Sequence, residues 1–310
     1  MDIIGKGRIL GIISTLLVIA SIVLLFVPGL KLGIDFKSGT TITYRFEDGS
    51  PDTPTVRQAV AETGHPEAVV QSLGSSEFIV RMSELAEGES PAIADALKDA
   101  TGFEVTVLET TTVGKAIAED TVKNSIIAVI VAAIVVMLYI GWAFRAVPRQ
   151  YRYAVAAIVA LGHDVAISLG VFAVLGVLIG AEVNAIFIVG ILTVIGYSVN
   201  DTIVIFDRLR ENTLLAPNRP LKTTVNVSIN ETMTRSLGTA LTTCTVILAM
   251  LLFGGPTLRD FLIVLLTGVI VGTYSSIFVA SNMLVAWDSG TLGRFLSAPV
   301  RRFRRQSEPA

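Results

Sequence analysis

The chain is 310 residues long, 52% apolar and only 16% charged, with a net charge of −2 and a mean hydropathy of +0.69. Water-soluble domains carry about 25% charged residues, so much of this chain is built for lipid. The near-zero net charge argues neither for nor against nucleic acid, which is not expected as a partner; the single cysteine, Cys244, excludes an internal disulfide or a cysteine metal site, and two histidines leave little for a zinc cluster.

Crossing a bilayer takes about 20 apolar residues, and six stretches qualify: 9–27, 122–144, 153–179, 183–206, 237–253 and 261–287. The first is longer than a signal peptide's apolar core and lacks a convincing small-x-small cleavage site, so it reads as a retained helix. The expected fold class is an α-helical polytopic membrane protein with six transmembrane helices and a small external α+β domain between spans 1 and 2. The expected divisions are 1–30 (cytoplasmic N-terminus and first span), 31–120 (external domain), 121–287 (the remaining five spans) and 288–310 (basic cytoplasmic tail).

Residues 31–120 hold 16 acids against 7 bases. Alternating runs at 40–46, 68–73, 77–81 and 103–109 read as strands. Helical patterns occupy 55–63, after Pro54, and 92–100, where Ser90 is expected as N-cap and Pro91 at the first helical position. The Gly74-Ser75-Ser76 link suggests a hairpin. The order βαββαβ is that of a ferredoxin-like unit, tethered to the membrane through 31–39 and 110–120. No Gly-rich phosphate loop and no acid–base constellation is visible, so no enzyme, cofactor or metal site is expected.

Lys and Arg in short loops set orientation. Arg145, Arg149 and Arg152 follow the second span; Arg208, Arg210, Arg219, Lys222 and Arg235 follow the fourth; Arg294, Arg301, Arg302, Arg304 and Arg305 lie in the tail; Lys6 and Arg8 open the chain. All fall on one side, which predicts both termini in the cytoplasm.

Ionisable groups within a bilayer cost about 2.5–3.5 kcal/mol each on insertion scales and need a compensating purpose. On the fourth span Thr193, Tyr197, Asn200, Asp201, Val204 and Arg208 share one helical stripe, expected to face the bundle interior. Asp201 lies about 9 Å deeper than Asp207. Asp207 and Arg208 sit at a helix end, where solvated interface charge is the simpler reading; Arg235, which opens the fifth span, could merely snorkel. Thr239 lies further along that span. His163 reads first as a structural histidine, whereas Asp164 stays open between an interhelical hydrogen bond and a proton site. Gly268, Gly272 and Ser276 form a small-xxx-small row suited to close helix approach.

Three stretches resemble the SecD/SecF family of protein-export membrane proteins, and its SecF members in particular. Leu32-Gly33-Ile34-Asp35-Phe36-Lys37-Ser38-Gly39-Thr40 is similar to that family's G-I-D-F-x-G-G-T signature, with Ser38 in place of its first paired glycine. Gly196-Tyr197-Ser198-Val199-Asn200-Asp201-Thr202 continues the match through Phe206-Asp207-Arg208-Leu209-Arg210-Glu211-Asn212. Asn230-Glu231-Thr232, Arg235-Ser236-Leu237 and Phe253-Gly254-Gly255-Pro256 follow in the family's order. Val113-Gly114-Lys115 departs from it by lacking a proline after the glycine.

The resemblance implies membership of the resistance-nodulation-division superfamily and a place in the bacterial inner membrane. SecD is the implied partner, with the SecYEG translocon and the translocating preprotein, and protons are the implied coupling ion. It assigns Asp201 and Arg235, with Asn200, to proton coupling. Asp164, His163, Tyr197 and Thr239 are expected as relay or interhelical polar contacts, and Gly33, Asp35, Phe36, Gly39 and Thr40 as signature positions after the first span. Competing readings are half of a proton-driven small-molecule exporter, a passive scaffold, and an intramembrane aspartyl protease built on Asp164 and Asp201. The last lacks the motifs such proteases show.

Overall fold

A computed structural model of the protein describes residues 2–47, 49–74, 76–86, 88–147, 149–255 and 258–290. The basic tail at 291–310, Ser75 in the tight link and Pro256 lie outside the described residues, as do the side chains of Lys6 and Arg8.

Helix α1 (Gly7–Phe26) is followed by a four-residue turn, α2 (Ile34–Lys37), and strand β1 (Gly39–Phe46). Then come α3 (Thr53–Glu62), β2 (Val69–Ser72), β3 (Glu77–Met82), α4 (Glu89–Thr101) and β4 (Val105–Val113). The long helices α5 (Lys115–Ala143), α6 (Tyr151–Leu178), α7 (Ala185–Leu215) and α8 (Leu221–Phe253) follow. The last crossing joins α9 (Arg259–Ser275), a π-helical turn (Ser276–Ala280) and α10 (Ser281–Asp288). Six of these runs are long and apolar enough to cross a membrane.

The unit between the first two long apolar helices is an antiparallel sheet in the order β2-β3-β1-β4. Alternation sets its faces: Ile42, Tyr44 and Phe46 of β1 and Phe78, Val80 and Met82 of β3 point into one core. Val56 and Val60 of α3 and Ile93 and Leu97 of α4 close that core from the helix side. On the opposite face Arg45 stands across from Glu77 and pairs with it at 2.7 Å.

Two local expectations need correction. Helix α4 begins at Glu89 with Gly88, at φ 90°, as its N-cap, so Ser90 lies inside the helix and Pro91 in its first turn. Glu89 reaches back to accept from the Ala86 amide at 2.8 Å, which fixes the chain entering the helix but caps none of the helix's own amides. The second tether is no linker either. Residues 110–113 belong to β4, which pairs with β1 through Val113, and only Gly114 separates it from α5. Lys115 occupies the first helical position, where proline is well tolerated but not needed.

Within the membrane unit α7 is central, packed on α6, α8 and α9. Small residues permit this. A side chain at Gly268 of α9 would place its Cβ 2.0 Å from Val194 of α7, one at Gly190 of α7 would lie 2.4 Å from Val264, and one at Gly272 would press on Ser198 at 3.0 Å. Helices α1 and α5 contribute little to the buried core and expose rows of large apolar side chains such as Ile12, Leu16, Ile130 and Leu138, as lipid-facing helices do.

Candidate functional site

Asp201 and Arg235 sit on facing helices, α7 and α8. The Asp201 carboxylate is 7% exposed, and its Oδ2 is buried with no hydrogen-bond partner among the described residues. Ser236 and the Arg235 guanidinium of α8 are the polar groups it faces. Neither closes a bond with it: the Ser236 hydroxyl is also buried and unpartnered, and Arg235 forms no ion pair within 4 Å. Such an acid can exchange a proton, and gain or lose a cationic partner, through a small helix or side-chain displacement.

The stripe around Asp201 is not arranged as its periodicity suggests. Ser198, Asp201 and Thr202 turn inward, whereas Thr193 and Asn200 are exposed and Tyr197 is half-buried. The chain's own interior lies along the Val194–Ser198–Asp201–Ile205 side, because the glycine row of α9 packs there. Asn200 and Arg235 instead open into a groove of about 540 Å³ that is also lined by Asp207, Arg208, Glu211, Glu231 and Thr232. In this groove Arg208 bonds Glu231 at 2.7 Å and Glu211 at 2.6 Å, and Asn212 donates to Glu231 at 2.7 Å and to Ser228 at 2.9 Å. Asp207 pairs with Arg210 at 2.7 Å.

A second polar cluster lies on the other side of α7. Asp164 is fully buried and its carboxylate accepts from Ser198 at 2.5 Å and Ser275 at 2.7 Å. His163 Nδ1 stands 2.9 Å from its other oxygen. Asp164 thereby ties α6 to α7 and α9. The His163 ring stacks on Tyr274, centroids 6.2 Å apart, while its Nε2 is buried with no hydrogen-bond partner among the described residues. Next to this cluster the π turn places Ser276 Oγ 2.7 Å from Thr202 Oγ1 and lets it donate to the Ser198 carbonyl at 3.3 Å. Turns of this kind are frequently found at functional sites. Asp164 and Asp201 share no hydrogen bond among the described residues: Asp164 faces Ser198 and Ser275, whereas Asp201 faces α8.

Tyr197 makes no hydrogen bond; it packs with Ile247 and Leu262. The Thr239 hydroxyl donates to the Arg235 and Ser236 carbonyls of its own helix, the usual recourse of threonine inside a helix, and bonds no other span among the described residues. Sequence reasoning quoted Ser198, Ser236 and Glu231 only as parts of longer motifs and did not single out Ser275. The first three stand within one helical turn of Asp201 or Arg235, whereas Ser275 has no charged residue near it in sequence to mark it.

The signature after the first span has a structural place. Gly33 lies in close approach to the loop before α7, where a Cβ would sit 3.3 Å from the Val183 carbonyl. Asp35 accepts from the amide of Ala185, the first residue of α7, at 2.8 Å. Phe36 packs against the membrane core. Gly39 has φ 138° and its Cβ position is 2.5 Å from the Met82 carbonyl, so only glycine fits. Thr40 is buried, 3.0 Å from the Thr112 hydroxyl, and accepts from the Leu85 amide.

Two family models match the chain: protein export membrane protein SecD/SecF, C-terminal, over residues 92–290, and the SecD/SecF GG motif over residues 23–49. Among curated relatives, protein translocase subunit SecF of Thermobaculum terrenum is 38% identical, covering 93% of this chain and 94% of its own. SecF of Anaerolinea thermophila is 37% identical over 100% and 99%. The crystal structure of SecDF from Thermus thermophilus, a translocon-associated membrane protein, superposes with a TM-score of 0.83 at 37% identity, covering 93% of this chain but 39% of that one. By sequence, fold and the length matched, the chain belongs to the SecD/SecF family of protein-export membrane proteins, as a SecF-like subunit.

Proposed function

We propose that the chain uses proton movement across the bacterial inner membrane to assist preprotein export through SecYEG, with SecD as its other half. The observation that carries this reading is the buried Asp201 carboxylate, unbonded and facing Arg235 across α7 and α8. Whether an acid in such a place holds its proton depends on how near the cation stands. Protonation of Asp201 from the outside frees Arg235, the helices rearrange, and release to the cytoplasm resets them. One charge moved through 100 mV is worth about 2.3 kcal/mol. Two or three such protons match the roughly 5.5 kcal/mol that a full two-state swing requires.

The need for SecD is supported by the face that α7 and α8 present. Asn200 and Arg235 are exposed along the span, where lipid offers polar groups no partner. SecDF of Thermus thermophilus carries further chain beyond the 38% matched here, and we assign the complementary six-helix half to SecD. We read the external βαββαβ unit as ferredoxin-like and place it outside, with both termini in the cytoplasm, as the Lys and Arg loops require. There it acts on the emerging polypeptide.

The test is Asp201→Asn in cells whose own SecF is depleted. Export of a secreted reporter should fall at least tenfold while the variant still co-purifies with SecD. Export at the wild-type level would refute the proton coupling. Loss of SecD binding together with loss of export would instead favour a scaffold.

A further inference from the structure

The groups that join the external unit to the membrane unit gather at one end of α7, the helix that carries Asp201. Lys31 and Gly33 bracket the loop before α7 through two backbone bonds: the Val183 amide donates to Lys31 and the Gly33 amide to Val183, both at 2.8 Å. Leu32 and Val183 thus form a parallel bridge. Asp35 then satisfies the Ala185 amide at 2.8 Å, while Asn184 caps the Phe187 amide at 2.8 Å. The first turn of α7 therefore takes one cap from Asn184, the residue just before it, and one from Asp35, 150 residues away. From the sheet itself, Arg81 of β3 reaches Glu182 at 3.3 Å, the two side chains being only 20% and 14% exposed. Gln71 of β2 holds the same guanidinium at 3.1 Å, and the Glu182 amide donates to Asp260 of α9 at 3.3 Å.

We propose that Arg81, Glu182 and Asp35 are positioning residues that form a clamp between the external sheet and the N-terminus of α7, so that displacement of α7 is delivered to the external unit at this point. The inference builds on the proton-coupled function of α7. A helix transmits axial displacement along its length, and Asp201 stands 16 residues beyond Ala185, about 24 Å along α7 at 1.5 Å per residue. The linkage at the other end of the domain is a continuous strand-to-helix joint at Gly114 with α5. A shift of α7 relative to α5 would therefore tilt the sheet between two fixed attachments.

The clamp is measured directly by spin labels at Arg57→Cys, on the external unit, and Leu178→Cys, at the end of α6, in the full chain carrying Cys244→Ser and reconstituted with SecD in lipid nanodiscs. The parent should give one narrow distance distribution. Arg81→Glu should broaden it, and Arg81→Glu with Glu182→Arg should restore it. An unchanged distribution in Arg81→Glu, or no recovery in the charge swap, would overturn the clamp. A second arm asks whether it must move. Leu32→Cys with Val183→Cys, oxidised in the Cys244→Ser chain, should reduce export at least tenfold, with recovery on reduction. Undiminished export by the oxidised chain would make the clamp a static strut and overturn its transmitting role. The distance measurement makes no reference to export, so it fails or succeeds independently of Asp201→Asn.

Discussion

Ser38 occupies a conformation that side chains avoid. Its φ of 65° with ψ of 160° falls in a region used almost only by glycine, at a cost of about 1–3 kcal/mol for other residues. The family signature has glycine here, and the structure supplies the reason. Ser38→Gly should raise the stability of the external unit by about that amount, read as a higher thermal midpoint. A lower midpoint would mean that the serine hydroxyl contributes more than its backbone costs. Asp164 is a second residue whose neighbours define it. Truncation by Asp164→Ala leaves Ser198 and His163 facing a void without their acceptor, while Ser275 keeps the Gly272 carbonyl at 3.1 Å; buried donors left unpaired cost about 1–3 kcal/mol each. We expect a loss of at least about 2 kcal/mol in detergent unfolding. A loss below about 1 kcal/mol would show that water or rotated hydroxyls replace the carboxylate.

At the scale of elements, the α7–α9 contact depends on glycines that no other residue replaces without movement. The Cβ of Gly268→Ala would meet the short, branched Val194 at 2.0 Å, and overpacking of this kind costs about 1–3 kcal/mol. Adding Val194→Ala should recover most of it; failure of that pair to recover would place the strain elsewhere. The loop before α7 carries a pH dependence. Burial holds the Glu182 carboxyl above its ordinary range and the Asp260 carboxylate pushes the same way, while Arg81, Lys31 and Lys37 oppose them. A raised value in the closed clamp means that its contribution is complete below the free glutamate value, about 4.3, and is lost as pH rises through the closed-state value. Acidification therefore fastens the clamp, because burial of the charged carboxylate outweighs its attraction to Arg81. The spin-label distribution should narrow as pH falls, and Glu182→Gln should remove that response. Broadening on acidification would reverse the assignment.

For the whole molecule, the six apolar runs and the βαββαβ order were legible because apolar periodicity and turn residues report directly on burial. The ends of the helices were not. Helix α8 begins at Leu221, well before the apolar run at 237, since the stretch containing Asn226, Asn230 and Glu231 is too polar to read as a span yet remains helical beyond it. Asp201 was visible as an isolated acid deep in a span. The orientation of its stripe was not, because periodicity shows which residues share a face and leaves open which neighbour covers that face. In this chain α9, with its glycines, covers the Ser198 side and leaves Asn200 open for a partner. The attachment of Asp35 to α7, 150 residues away in sequence, leaves no trace in local pattern at all.

The central claim is that protons cross by way of Asp201. It is tested most directly by proton flux into proteoliposomes that hold this chain with SecD under an imposed pH gradient and membrane potential. The parent should conduct protons, Asp201→Asn should abolish that flux and Arg235→Met should reduce it at least tenfold, with both variants still assembled. Equal flux in the parent and in assembled Asp201→Asn would contradict the claim.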